Sequence, residues 1–146
     1  MDDELKISGK LKILLTDEKG EVKDEREMPN VITTVGKAHI ADQLASTHDE
    51  GEMSHMAIGT GIIAAAAGDT TLGTELDRNA LTSRTQGTNT VIYVGDWAAG
   101  DGTGAITEAG ILNNSSGGTL LCRQTFSAIN KAAGDTLQIT WTITVS

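Results

Sequence analysis

The chain has one cysteine, one proline, one phenylalanine, one tyrosine and two tryptophans in 146 residues. A single Cys122 excludes an intrachain disulfide. With aromatic content at 3%, a core must come mainly from Val, Ile, Leu and Ala. No apolar run approaches the roughly 20 residues of a membrane-spanning helix. Basic residues are also scarce: 11 Lys and Arg stand against 20 Asp and Glu, for a net charge of −9. Phosphate contacts need Lys and Arg, so this balance argues against nucleic acid and against anionic membrane surfaces. It suits a soluble acidic surface or a basic protein partner. The N-terminal MDDELKISGK lacks the apolar stretch of a signal peptide, which leads to the expectation of synthesis in a cytoplasm.

What is present favours strands. Glycine is abundant at 17 residues, and threonines cluster in the second half, three of them in Ile139–Val145. The length fits one domain with a proper core. Leu5, Ile7, Leu11, Ile13 and Leu15 alternate in part with polar residues, and Asp17-Glu18-Lys19-Gly20 signals a turn before the charged 21–28. The first 28 residues hold nine of the acidic and six of the basic residues. That composition predicts an N-terminal β-hairpin or arm over 1–29, distinct from a domain over 30–146. Val31, Val35, Ala38, Ile40, Ala41 and Leu44 recur at mostly helical spacing, predicting one α-helix over about 34–46 capped by Thr33 or Thr34.

A short buried strand is expected at 53–61, followed by a long excursion with one short helix near Thr71–Leu76. Strands are expected near 81–86, 89–97, 105–113, 118–127 and 136–145, with turns at Asn113–Gly118 and Ala132–Asp135. In the last strand Leu137, Ile139, Trp141, Ile143 and Val145 should share one face. About eight strands and one helix predict a mainly β fold, a jelly-roll-like antiparallel β-sandwich with an N-terminal hairpin.

The candidate chemistry is sparse. Gly59-Thr60-Gly61-Ile62-Ile63-Ala64 mimics a dinucleotide fingerprint, but no βαβ alternation accompanies it, and the glycines read better as a tight turn or a close backbone approach. His48, Asp49, Glu50, Glu52 and His55 are dense enough to suggest a divalent ion but lack a defined framework. Gly95–Gly102 lacks the acidic ligands of a calcium loop. Cys122 has no local catalytic motif and reads as a small buried side chain. Glu108 is a lone acid among apolar residues, explained structurally if Arg123 or Arg84 pairs with it, and it lacks the second carboxylate of a glycosidase. These readings point away from an enzyme and imply no cofactor and no metal.

Several segments form a pattern together: Asn30-Val31-Ile32-Thr33 with Gly36 and Ala41-Asp42-Gln43-Leu44, then Met56–Gly61, Ala64–Thr70, Leu72–Leu76, Ile106–Ile111, and Phe126–Asn130 with Asp135–Trp141. Their order and spacing resemble a widespread group of small tailed-bacteriophage virion proteins, often labelled tail-fibre-like, some of them capsid cement or decoration proteins with a jelly-roll fold. The resemblance covers about residues 30–146 and carries no catalytic residues. It implies a cement protein that binds the outside of the assembled head, at the virion surface, and bridges major capsid proteins as a dimer or trimer. A tail-fibre or baseplate component, able to bind host glycans, is the alternative. Leu5, Ile7, Leu11, Ile13, Arg78, Arg84 and Trp97 are the candidate interface residues, with the hairpin expected to make subunit or capsid contacts.

Overall fold

The structure is a computed structural model and describes residues 4–146. Among the described residues, ten strands and one helix are arranged in two five-stranded sheets, each antiparallel throughout. One sheet has the order β2-β1-β10-β7-β6, built from β1 (Ile7–Thr16), β2 (Val22–Pro29), β10 (Thr136–Val145), β7 (Thr90–Trp97) and β6 (Ser83–Gln86). The other has the order β3-β9-β8-β4-β5, built from β3 (Val31–Ile32), β9 (Leu120–Lys131), β8 (Gly104–Leu112), β4 (His55–Gly59) and β5 (Glu75–Ala80). Inward-facing residues from both sheets form one core around Trp97 and Trp141, with Leu11, Ile13, Met56, Ile58, Ile111 and Ile139. The fold is therefore a mainly β antiparallel sandwich with one helix. Four hairpins (β1–β2, β4–β5, β6–β7 and β8–β9) each stay within one sheet, and the chain changes sheets between them.

The N-terminal hairpin is present but is not a detached arm. β1 pairs along its whole length with β10, from Ile7 opposite Val145 to Thr16 opposite Thr136, and its Leu11, Ile13 and Leu15 lie in the core. Residues with core-facing alternation are drawn into the sandwich whatever the local charge density, because burying them stabilises the sheet by about 1.5–3 kcal/mol for each large side chain. The charge falls on the other face, where Lys10 pairs with Glu27 and Lys12 with Glu25 across the two strands. At the turn, the Asp17 carboxylate accepts the amides of Lys19 and Glu21, and Gly20 takes a positive φ of 83° that other residues rarely adopt.

The helix α1 spans Thr34–Leu44, within the expected 34–46. Thr33 caps it, its hydroxyl accepting the Gly36 amide at 2.9 Å and donating to Leu120 O at 2.6 Å. Gly36 lets the helix lie directly on β9, where a Cβ would overlap Leu121 O. The buried face is Gly36 and His39, while Ala38, Ala41 and Leu44 face outward, so the apolar spacing places the helix correctly but misassigns part of its inner face. No helix forms near Thr71–Leu76. Residues 60–74 run as an irregular loop and β5 begins at Glu75, because the loop's backbone amides are satisfied by a buried carboxylate instead of by one another. In β10 the expected alternation holds: Leu137, Ile139, Trp141 and Ile143 are buried, and Val145 at the strand end is 40% exposed.

Candidate functional site

The most concentrated chemistry in the molecule is a buried polar node under the 60–74 loop. β8 carries Glu108 with its side chain fully buried. Its two carboxylate oxygens accept the backbone amides of Gly61 at 2.6 Å, Gly73 at 2.7 Å and Thr74 at 2.7 Å. From the neighbouring strand β9, Arg123 adds Nε at 3.0 Å and Nη2 at 2.9 Å to the same oxygen. Arg123 also donates to Asp69 at 2.7 Å and to Ile63 O at 2.9 Å, both on the loop. Burial opposes ionisation of Glu108, but the three amides and the guanidinium outweigh it and hold the carboxyl below its ordinary range. Asp69 shows the same balance: burial works against the charge, and the Ala66 amide with Arg123 wins.

This node explains the Gly-x-Gly segment. A Cβ on Gly59 or Gly61 would run into the Glu108 carboxylate, so the glycines permit a close approach rather than cradle a phosphate. Five donors of the fold, three amides and two guanidinium nitrogens, engage the carboxylate and tie Glu108 into the structure.

The node anchors the loop, from which Ile62 and Ile63 project 85% and 76% exposed. Ile62 borders a surface depression with Thr107, Thr125 and Phe126. A second apolar surface lies at another place on the molecule, between the helix and the end of the β1/β10/β7 sheet. It is a groove of about 260 Å³ lined by Ile7, Ile40, Leu44, Met53, Val91 and Ile143 among others, and Leu44 on its rim is 81% exposed. The two surfaces share no residue.

The expected interface residues fall into three groups. Leu5 is 72% exposed and Ile7 half-buried, and Ile7 lines the groove. Leu11, Ile13 and Trp97 are buried in the core, 0–1% exposed, so they are not available to a partner; the same alternation that looked like a contact stripe is the inward face of the sandwich. Arg78 and Arg84 are clasps within the chain. Arg78 binds Glu75 and donates to Asn114 O and Gly117 O, each at 2.8 Å, closing the β8–β9 turn onto β5. Arg84 donates to Met53 O at 2.7 Å and approaches Glu52 at 3.4 Å.

Of the other candidates, Cys122 is buried in β9, where burial pushes its thiol well above the ordinary range. In the acidic and histidine cluster, Asp42 accepts the amides of Asp49 and Glu50, which hold its carboxyl low, and His55 contacts the Ser54 hydroxyl. Among the described residues no three His, Cys, Asp or Glu side chains converge on a metal-sized position. The exposed Ile62-Ile63 pair and the groove were not singled out from sequence. The signal for the first was an uncharged run from Met56 to Gly68; the groove gathers residues from six separate segments and has no local signature. No family model, curated protein or solved structure matches the chain.

Proposed function

We propose that this protein is a structural component of a tailed-bacteriophage virion, a cement protein that binds the outside of the assembled head and bridges its major capsid proteins. The observation that carries the reading is the pair of separated apolar surfaces on one rigid frame. A bridging protein needs two contact surfaces that hold their distance and orientation, and exposed apolar patches on a soluble protein mark such contacts. The segment pattern over residues 30–146 supports the phage assignment.

The mechanism is mass action. A subunit that binds only the assembled lattice stabilises it by the free energy of that binding. Linked copies multiply weak contacts by raising the effective concentration of each successive one. The acidic hairpin, with Glu18 and Glu21 exposed at its turn, offers basic groups of the capsid protein a complementary face.

The test is the position and copy number of the protein in intact particles by cryo-electron microscopy. Hundreds of copies over the head are expected. A few copies at the tail would replace this reading with a fibre or baseplate component, and absence from the particle would overturn both. Because β1 lies between β2 and β10, the hairpin contact is tested by E18K/E21K and not by deletion. Lower retention on particles is expected, and unchanged retention would remove the hairpin from the interface.

A further inference from the structure

Residues 60–74 leave the second sheet and return to it at one place. The Thr60 amide donates to Thr74 O at 2.8 Å, so the two ends of the loop are joined. A compact surface loop with joined ends is an Ω-loop. Its closed base lets it lift without pulling β4 and β5 apart. Its apolar anchor is also separate from the main core. Leu72 packs with Ala57, Leu112 and Leu120, and a Cβ at Gly110 would stand 3.0 Å from it. Met56 and Ile58, on either side of Ala57, point instead into the cluster around Trp97 and Trp141, and the two clusters share no residue. Withdrawing Leu72 therefore leaves the main core packed, the condition for a segment to open on its own.

The polar anchors converge on one ion pair. Glu108 accepts the amides of Gly61, Gly73 and Thr74, and Arg123 donates to Asp69 and to Ile63 O. Two further hydrogen bonds do not pass through the pair: the Thr107 hydroxyl to Gly61 O at 2.6 Å, and the Thr34 amide to Ala67 O at 2.7 Å. The charges that face Glu108 are Arg123 from β9 and, across Arg123, Asp69, the one ionisable residue of the loop. The neighbouring charges are engaged elsewhere. On β5, Glu75 is bound by Arg78 at 2.6 Å; on α1, His39 lies 3.7 Å from Glu50 and Lys37 is exposed; on β4, His55 contacts Ser54. Protonation turns one carboxylate oxygen of Glu108 from an acceptor into a donor, which evicts a loop amide. It also leaves the buried Arg123 guanidinium without its counter-charge. Both penalties fall on the closed loop, because opening brings water to the two side chains.

We propose that residues 60–74 are an acid-released strap: when Glu108 takes up a proton, the loop lifts from β4, β8 and β9, Leu72 leaves its seat, and both sheets stay paired. The three amides and the guanidinium hold the Glu108 carboxyl below its ordinary 4.5. The strap is thus latched at neutral pH and its latch is lost as pH falls through the folded value. Opening uncovers an apolar patch of Ala57, Leu112 and Leu120. Nothing in this depends on where in a virion the protein resides.

Hydrogen exchange of the full chain, followed by mass spectrometry from pH 7 to about pH 3 and corrected for the intrinsic pH dependence of exchange, tests it. Near-ultraviolet circular dichroism of Trp97 and Trp141 reports the main core alongside. Below about pH 4.5, protection at Gly61, Gly73 and Thr74 should fall by about tenfold or more. β7 and β10 should stay protected and the tryptophan signal should hold. E108Q should show at pH 7 the loop exchange that the wild type reaches in acid. D69N should keep the acid transition. Loop and strand amides that lose protection together would overturn the proposal, as would a loop unmoved by acid or an E108Q loop as protected as the wild type. A D69N loop without the transition would move the trigger to Asp69 and overturn the role of Glu108. If E108Q lacks the folded tryptophan signal, the wild-type and D69N series decide.

Discussion

Arg123 Nη2 lies 2.9 Å from Glu108 Oε1, on adjacent strands of one sheet and with both side chains almost completely buried. The pair does more than neutralise two charges, because the same carboxylate also terminates three loop amides. Replacing a buried ion pair with apolar residues of similar size is often neutral or stabilising. Here it should not be. E108L/R123M would strip the amides of Gly61, Gly73 and Thr74 of their acceptor, each at about 1–3 kcal/mol if it stays buried. The double variant is therefore expected to be destabilised in urea titrations. R123M alone should cost about 3–5 kcal/mol, as expected for a buried charge left without its partner. A double variant as stable as the wild type would mean the loop amides find other acceptors.

The same node sets an acid limit. Glu108 and Asp69 are both held below their ordinary values of 4.5 and 3.8. A carboxyl whose folded-state pKa is depressed contributes stability that is fully present above its unfolded pKa. That contribution is lost as pH falls through the folded value. Unfolding free energy should thus be insensitive to these groups near neutrality and should fall as the pH drops below about 4.5. Melting curves from pH 7 to pH 2 check this, and E108Q should show a shallower acid limb than the wild type from a lower starting stability.

Gly61 and Gly68 offer an internal comparison on one loop. An alanine at 61 would drive its Cβ into the Glu108 carboxylate, whereas at 68 nothing lies within 4 Å. G61A should cost about 1–3 kcal/mol through weakened amide–carboxylate bonds and should raise hydrogen exchange across 60–74. G68A should leave both unchanged.

A single arginine closes one side of the sandwich. Arg26 on β2 donates to Ser127 O at 2.7 Å, to the Ser127 hydroxyl at 2.6 Å and to Ala128 O at 3.3 Å, reaching the edge of β9 from the opposite sheet. Asp24 orients its guanidinium from behind at 2.9 Å. R26A should lower stability by about 1–3 kcal/mol and expose the Ser127 and Ala128 carbonyls to solvent. Infrared or exchange measurements that show no change at this edge would mean water replaces the arginine without cost.

Where the sequence patterns were local, they carried through. The cap at Thr33, the turns at Asp17–Gly20 and Asn113–Gly118, and the alternation of β10 all depend on neighbours a few residues apart. A cationic partner for Glu108 was also legible, as Arg123 or Arg84, because an isolated acid in an apolar strand demands a cation; the sheet register selects Arg123. The failures are non-local. Charge density over 1–28 suggested a separate arm, but only one face of the hairpin is charged and the other belongs to the core. Residues 71–76 looked helical because their amide partner lies more than thirty positions away on β8. The groove is a product of sheet order, so no stretch of chain announces it.

β10 is the element on which most of this depends. It lies between β1 and β7, paired with β1 over Ile7–Thr16 and with β7 over Thr90–Trp97. Its Trp141 is fully buried, opposite Leu11 on β1 and Tyr93 on β7. Cutting the chain after Thr140 removes Trp141 and Ile143 from the core and leaves Ile7–Leu11 and Thr90–Tyr93 without their central strand. The loss of the tryptophan alone is worth about 3–5 kcal/mol by the cost of truncating a buried aromatic. The open ladder on both flanks adds to that, against a total stability of about 5–15 kcal/mol for a domain of ordinary stability. The truncated chain should therefore fail to show a cooperative melt by circular dichroism. A subtler variant separates packing from strand pairing: W141F keeps the ladder and removes only part of the ring. It should melt cooperatively but earlier than the wild type. If the truncated chain melted like the full one, β10 would not be the strand that joins the two halves of its sheet.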